Sequence, residues 1–145
     1  MMRYAGSVNL VRQMHEAYEK PVDLPLDSTT LNDLGLSMTL IAEEFLEVGE
    51  AVRAVHNAIY MKKGAATQRR CKANLLKELC DLQYVLDSMF VTFGLPKDAA
   101  FKRVHDSNMT KLGDDGRPIR REDGKILKGP NYQPPEMEIL IEDTI

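Results

Sequence analysis

The chain has 145 residues, 43% of them apolar and 28% charged, a balance that suits one folded domain with a hydrophobic core and excludes a disordered polymer. Nineteen Lys and Arg against 22 Asp and Glu leave a formal charge of -3, without the basic field that a nucleic-acid partner needs. No apolar run approaches the roughly 20 residues of a membrane span and no charged-then-apolar leader opens the sequence, so a cytoplasmic protein with no membrane partner is expected.

In "SVNLVRQMHEAYEK" the residues Val8, Val11, Met14 or His15, and Tyr18 recur at spacings of three and four, which predicts an amphipathic helix over 7–20 with Ser7 as its cap and Pro21 as its end. A histidine beside an apolar column is more often a satisfied, half-buried side chain than a ligand, and His15 is read that way. The two prolines of "PVDLPLDSTT" predict a loop, with Ser28 or Thr29 as the next N-cap. A long helix is predicted over 29–62, with Ile41, Phe45, Val48, Val52, Val55 and Ile59 as its inner stripe, Gly35 as a weak point and Gly64 closing it.

A third helix is predicted over 66–93, ended by Gly94, with Leu75, Leu82, Val85 and Met89 facing inward. Cys71 and Cys80 fall on it about 13 Å apart, too far to bridge, and read as free thiols. After "GLP" a fourth helix is predicted over 97–112 with Ala100, Phe101, Val104 and Met109 inward. From Gly113 the composition turns to Gly, Asp and Pro: "RPIRREDGKILK" can form a small hairpin, and the remainder reads as an irregular arm with an acidic end. The organisation expected is all-α, a helical domain over 1–112 with a C-terminal arm over 113–145 packed on it.

The chemistry sits in "IAEEFLEVGE" and "LLKELCDLQYVL". On a helix Glu43, Glu44 and Glu47 occupy neighbouring columns, with Glu44 and Glu47 at the border of the apolar stripe, while Glu78 lies inside the stripe of the third helix and Asp81 one turn on. An acidic run alone is usually a solvated face. A carboxylate within an apolar stripe is partly buried, and burying like charges is costly without compensation. Arg53, Lys72 and Lys77 are expected on other faces, which leaves a divalent cation as the compensating charge. Oxygen-only donors favour Mg²⁺, with Mn²⁺ as a substitute, over zinc. A di-iron carboxylate bundle wants Glu-x-x-His, but Arg53 precedes His56 and Lys102 precedes His105 at that spacing.

EExxE at Glu43 to Glu47, followed some thirty residues later by ExxD at Glu78 to Asp81, resembles the signature of the all-α nucleotide pyrophosphohydrolases, the MazG-like superfamily. "MHEAYEKPV", "VHDSNMTK" and "REDGKILKGPNY" are similar to its phosphoribosyl-ATP pyrophosphohydrolase-like branch, which includes a MazG-like dUTPase. The resemblance implies a four-helix-bundle-type fold, homodimerisation, and cleavage of a nucleoside triphosphate between the α and β phosphates by water. It implies Glu44, Glu47, Glu78 and Asp81 as metal ligands, and Glu43 either as a further metal contact or, with Glu47, as a residue acting on water. Asn108, Lys111 and Lys125 are then expected to meet the phosphates. Tyr132 is expected either to cover the base or to anchor the arm by packing. dUTP or another deoxynucleotide is the expected substrate; phosphoribosyl-ATP, or a noncatalytic module that binds cations or a basic partner, are the alternatives. Exposed apolar residues near the end of the second helix, Ile59, Tyr60 and Met61, also favour self-association.

Overall fold

The computed structural model describes residues 6–142. Its helices are α1 (Ser7–Ala17), α2 (Leu31–Tyr60), α3 (Ala65–Thr92), α4 (Lys97–Met109) and the single turn α5 (Ile139–Glu142). Among the described residues there is no strand, only two isolated bridges, and no helix is long and apolar enough to cross a membrane. The chain is all-α, and it divides along the sequence into two compact units, the first ending at Leu95 and the second beginning at Pro96.

In the first unit α2 and α3 form a helical hairpin, with α1 packed against α3. Three helices end in the same way. Lys20 N donates to His15 O, Lys63 N to Ala58 O and Leu95 N to Phe90 O, each behind a left-handed residue: Glu19, Lys62 and Gly94. This is the Schellman closure, which satisfies carbonyls that the last helical turn leaves free. It also moves the expected ends. Helix α1 stops at Ala17, before Pro21 can act, and Gly64 serves as the N-cap of α3 while Lys62 closes α2. At the N-termini, Gly6 takes the capping place expected of Ser7, and Thr30 that of Ser28 or Thr29, neither with a side-chain cap bond.

The loop after α1 is fastened to the end of α3. Asp23 N and Leu24 N donate to Val91 O and Thr92 O, while Arg12 grips the Asp23 carboxylate with two bonds of 2.7 and 2.8 Å. His15, 1% exposed, lies beneath this loop. Its Nδ1 donates to the Pro21 carbonyl at 2.8 Å, and its Nε2 is hydrogen-bonded with Ser88 Oγ, 3.1 Å away. The expected role of a satisfied buried histidine holds.

Small residues make the α2–α3 seam. Ala51 and Ala58 are buried, with Glu44, Val48 and Val55 half-buried along the same line. Three members of the expected inner stripe lie outside it: Phe45, Val52 and Ile59 are exposed. With Leu31 and Met38, also exposed, they recur at every seventh position along α2. Thus α2 has two apolar faces about 100° apart, and a count of apolar periodicity merges them because it overlooks alanine.

The second unit holds α4 and the segment that follows. Here too the inward face differs from expectation, since Phe101, Val104 and Met109 are exposed and Ser107 is buried. Ser107 Oγ donates to Gln133 O at 2.6 Å, and Gln133 N donates to Thr110 Oγ1 at 2.9 Å, beside a cleft of about 410 Å³. Hydrogen bonding therefore decides which face of α4 is covered. The expected hairpin is present as bridge pairing, Arg120 with Ile126 and Leu112 with Pro118, turning at Gly124 and Gly116. The acidic end continues past Glu142, outside the described residues. Cys71 and Cys80 are free thiols.

A β-carbon on Gly94 would sit 2.9 Å from Asp23 Oδ1 and 3.4 Å from Asp23 Cα, at a φ of +60°. Gly94→Ala is expected to cost about 1–3 kcal/mol, read as a lower urea midpoint at unchanged slope. Gly35→Ala, inside α2 with nothing within 4 Å, is expected instead to leave stability unchanged or raise it by up to about 1 kcal/mol.

Candidate metal centre

The centre begins with spacing. Glu44 and Glu47 lie one turn apart on α2, and Glu78 faces them from the seam side of α3. One carboxylate oxygen from each lies within 4.8 Å of the others. Their surroundings differ: Glu78 is buried at 7% exposure, Glu44 is half-buried and Glu47 is exposed. Glu44 Oε2 is buried and has no hydrogen-bond partner.

Such an arrangement resists full ionisation. The Glu47 carboxyl is held above its ordinary value of 4.5, first by the hydrogen bond it shares with Glu78, then by repulsion from Glu44 and Glu78. A shared proton relieves part of the repulsion, and a cation relieves more. The donors suit a hard ion: all are carboxylate oxygens, one of them orphaned.

The other expected residues are distributed as follows. Asp81 lies outside the three-oxygen cluster, its Oδ2 held 2.7 Å from Lys77 Nζ. Glu43 is exposed and also outside it. Lys77 corrects the expectation that no cation shares these faces: its Nζ lies 3.2 Å from both Glu78 oxygens as well as near Asp81. A lysine next to one carboxylate and four residues before another reaches both because its stem is long and flexible. That spacing was visible in "KELCD", and a column count misses it because it locates Cβ atoms, not the ends of side chains.

Asn108, Lys111, Lys125 and Tyr132 belong to the second unit. Lys111 Nζ donates to Asn108 Oδ1 at 2.8 Å, so this pair meets as its spacing predicts, although α4 ends at Met109. Lys128 Nζ lies 4.4 Å from the Tyr132 ring centre, a cation–π contact that anchors this ring within the arm. The Lys125 side chain is exposed.

The raised Glu47 value has a measurable sign. A carboxyl whose folded value exceeds its unfolded one stabilises the fold while protonated, and that stability is lost as pH rises through the folded value. Metal-free protein is therefore expected to melt higher as pH falls from 7 toward 4.5, with Glu47→Gln flattening the trend, in a thermal scan series. The lowered groups Asp23, Asp27, Asp106 and Asp123 act below their ordinary 3.8, outside that window.

Comparison with known proteins bears on this centre. Residues 10–108 match the family model described as phosphoribosyl-ATP pyrophosphohydrolase, a span that contains all the clustered carboxylates. Among solved structures the chain is similar to that of a candidate NTP pyrophosphohydrolase from Exiguobacterium sp. 255-15. The two share 24% identity over 96% of this chain and 95% of that one, with a TM-score of 0.50, a likeness that speaks for the fold. No curated protein matches the sequence. With its helical hairpin, its facing glutamates and the family match over most of its length, the chain belongs to the phosphoribosyl-ATP pyrophosphohydrolase family of the all-α, MazG-like NTP pyrophosphohydrolases.

Proposed function

We propose that the chain hydrolyses a (deoxy)nucleoside triphosphate between its α and β phosphates, releasing the monophosphate and pyrophosphate, with Mg²⁺ or Mn²⁺ at Glu44, Glu47 and Glu78. The observation that carries this reading is the convergence of those carboxylates around the buried, unpartnered Glu44 Oε2. When bound, the cation would neutralise phosphate oxygens and lower the pKa of the attacking water.

The residues divide the remaining work. Glu78, fixed in the seam, positions its carboxylate toward α2. Glu47, whose carboxyl is held above its ordinary value by the hydrogen bond it shares with Glu78, is with exposed Glu43 our assignment for orienting water and taking its proton as the oxygen attacks the α-phosphorus. The bond to the bridging oxygen breaks, and pyrophosphate leaves with that oxygen. Lys111, Asn108 and Lys125 are assigned to the phosphates. Asp81 joins as a ligand or acts through Lys77, and Tyr132 lines the arm.

Family membership favours a second substrate, phosphoribosyl-ATP, which offers the same α–β bond. A panel of common (d)NTPs, dUTP and phosphoribosyl-ATP, assayed with Mg²⁺, Mn²⁺ and EDTA for monophosphate and pyrophosphate, separates the two. Metal-dependent release from one substrate class is expected. Glu78→Gln and Glu47→Gln are each expected to lower the rate about 100-fold or more. Silence across the panel from folded protein would favour the noncatalytic cation-binding alternative.

We also propose that the chain works as a homodimer. Leu31, Met38, Phe45, Val52 and Ile59 form an exposed seven-residue repeat along α2, and Leu76, Leu79 and Leu86 are exposed on α3. Such a repeat packs against another helix of the same kind, and a two-fold axis pairs the stripe with itself. Light scattering after size exclusion is expected to give about twice the chain mass of 16.4 kDa, and Phe45→Glu with Val52→Glu to shift it toward one.

A further inference from the structure

One cation already sits at the acidic centre. Lys77 Nζ lies 3.2 Å from Oε1 and 3.2 Å from Oε2 of Glu78, astride that carboxylate, and 2.7 Å from Asp81 Oδ2. An ammonium astride both Glu78 oxygens competes with any divalent ion that this carboxylate would help to hold. The grip is uneven. The contact with Asp81 is shorter than those with Glu78, and Asp81 is the more solvated partner, with 40% side-chain exposure against 9%. The order Lys then Asp at a spacing of four also runs against the helix preference for the acid first, so helix stability alone gives little reason for it.

We propose that Lys77 is a tethered counter-ion of the metal centre: it neutralises Glu78 in the metal-free protein and is displaced from it when a divalent cation enters. This rests on the metal-centre reading above and deepens it. Lys77 thereby sets cation affinity, since every binding event must break its contacts with Glu78. Lys77 is a positioning residue, acting through Glu78 and not on the substrate.

The test is titration calorimetry of MnCl₂ into substrate-free, full-length protein. Lys77→Met, which keeps the stem and removes the charge, is expected to tighten Mn²⁺ binding about 5–50-fold, the range for losing a competing charge-assisted contact between an exposed lysine and a buried carboxylate. Lys72→Met removes the same charge from an exposed position earlier on α3 and is expected to stay within about twofold, as a remote, screened charge should. Lys77→Arg is expected not to tighten binding. Equal affinities for Lys77→Met and Lys72→Met would overturn the inference. Wild-type protein that binds no Mn²⁺ would overturn the metal centre and this inference together, whereas wild-type binding that Lys77→Met leaves unchanged overturns this inference alone.

Discussion

Mutual repulsion among Glu44, Glu47 and Glu78 is the constraint around which the first unit is organised. Three carboxylates within 4.8 Å of one another, one of them buried, destabilise any fold that leaves them uncompensated. The hairpin nevertheless holds them together, because Ala51 and Ala58 let α2 lie close to α3 and two long helices fix the register. Compensation then arrives in graded forms: a hydrogen bond between Glu47 and Glu78, the Lys77 ammonium, and the affinity left over for a divalent ion. A site that is strained without its cation and relaxed with it has a reason to bind one.

How far this was legible in the sequence depends on which physical signal each feature leaves. Glu78 stood out because a charge inside an apolar stripe is anomalous at the level of the residue pattern. The seam itself did not, because alanine carries little hydrophobic weight yet decides how closely helices approach. Helix ends were legible where glycine supplied the left-handed residue, at Gly94, and illegible at Glu19 and Lys62, whose conformation is imposed by the turn and the loop beyond it. On α4, Ser107 and Thr110 outcompeted Phe101 and Val104 for the covered face, since hydrogen bonds to Gln133 orient the helix in a way that periodicity cannot register.

The buried apolar set of the described residues is small: Val11, Ala51, Ala58, Val91 and Phe93. Much larger side chains, among them Phe45, Leu46, Met38 and Leu76, are exposed. Burial of each such side chain is worth about 1.5–3 kcal/mol, so the free energy available from covering the α2 stripe exceeds what the internal seam can supply with alanines. The position of that stripe matters as much as its size. Phe45 directly follows Glu44 on α2, so whatever covers the stripe also restrains the helix that presents the first of the clustered carboxylates.

The cations of the second unit show a comparable economy. Lys102 is engaged by Asp106, Arg121 by Asp123, Lys111 by Asn108 and Lys128 by the Tyr132 ring. These partners hold the ribbon and the helix end in shape, and they also lower the attraction that each cation can offer an incoming anion. Lys111 is bound through a neutral amide, so its full charge remains available to a phosphate, whereas Arg121 is already neutralised by a carboxylate. The same distinction applies at Lys77, whose two carboxylate partners leave little net charge for a substrate. A lysine held by acids tunes the acids; a lysine held by an amide stays free to meet a polyphosphate.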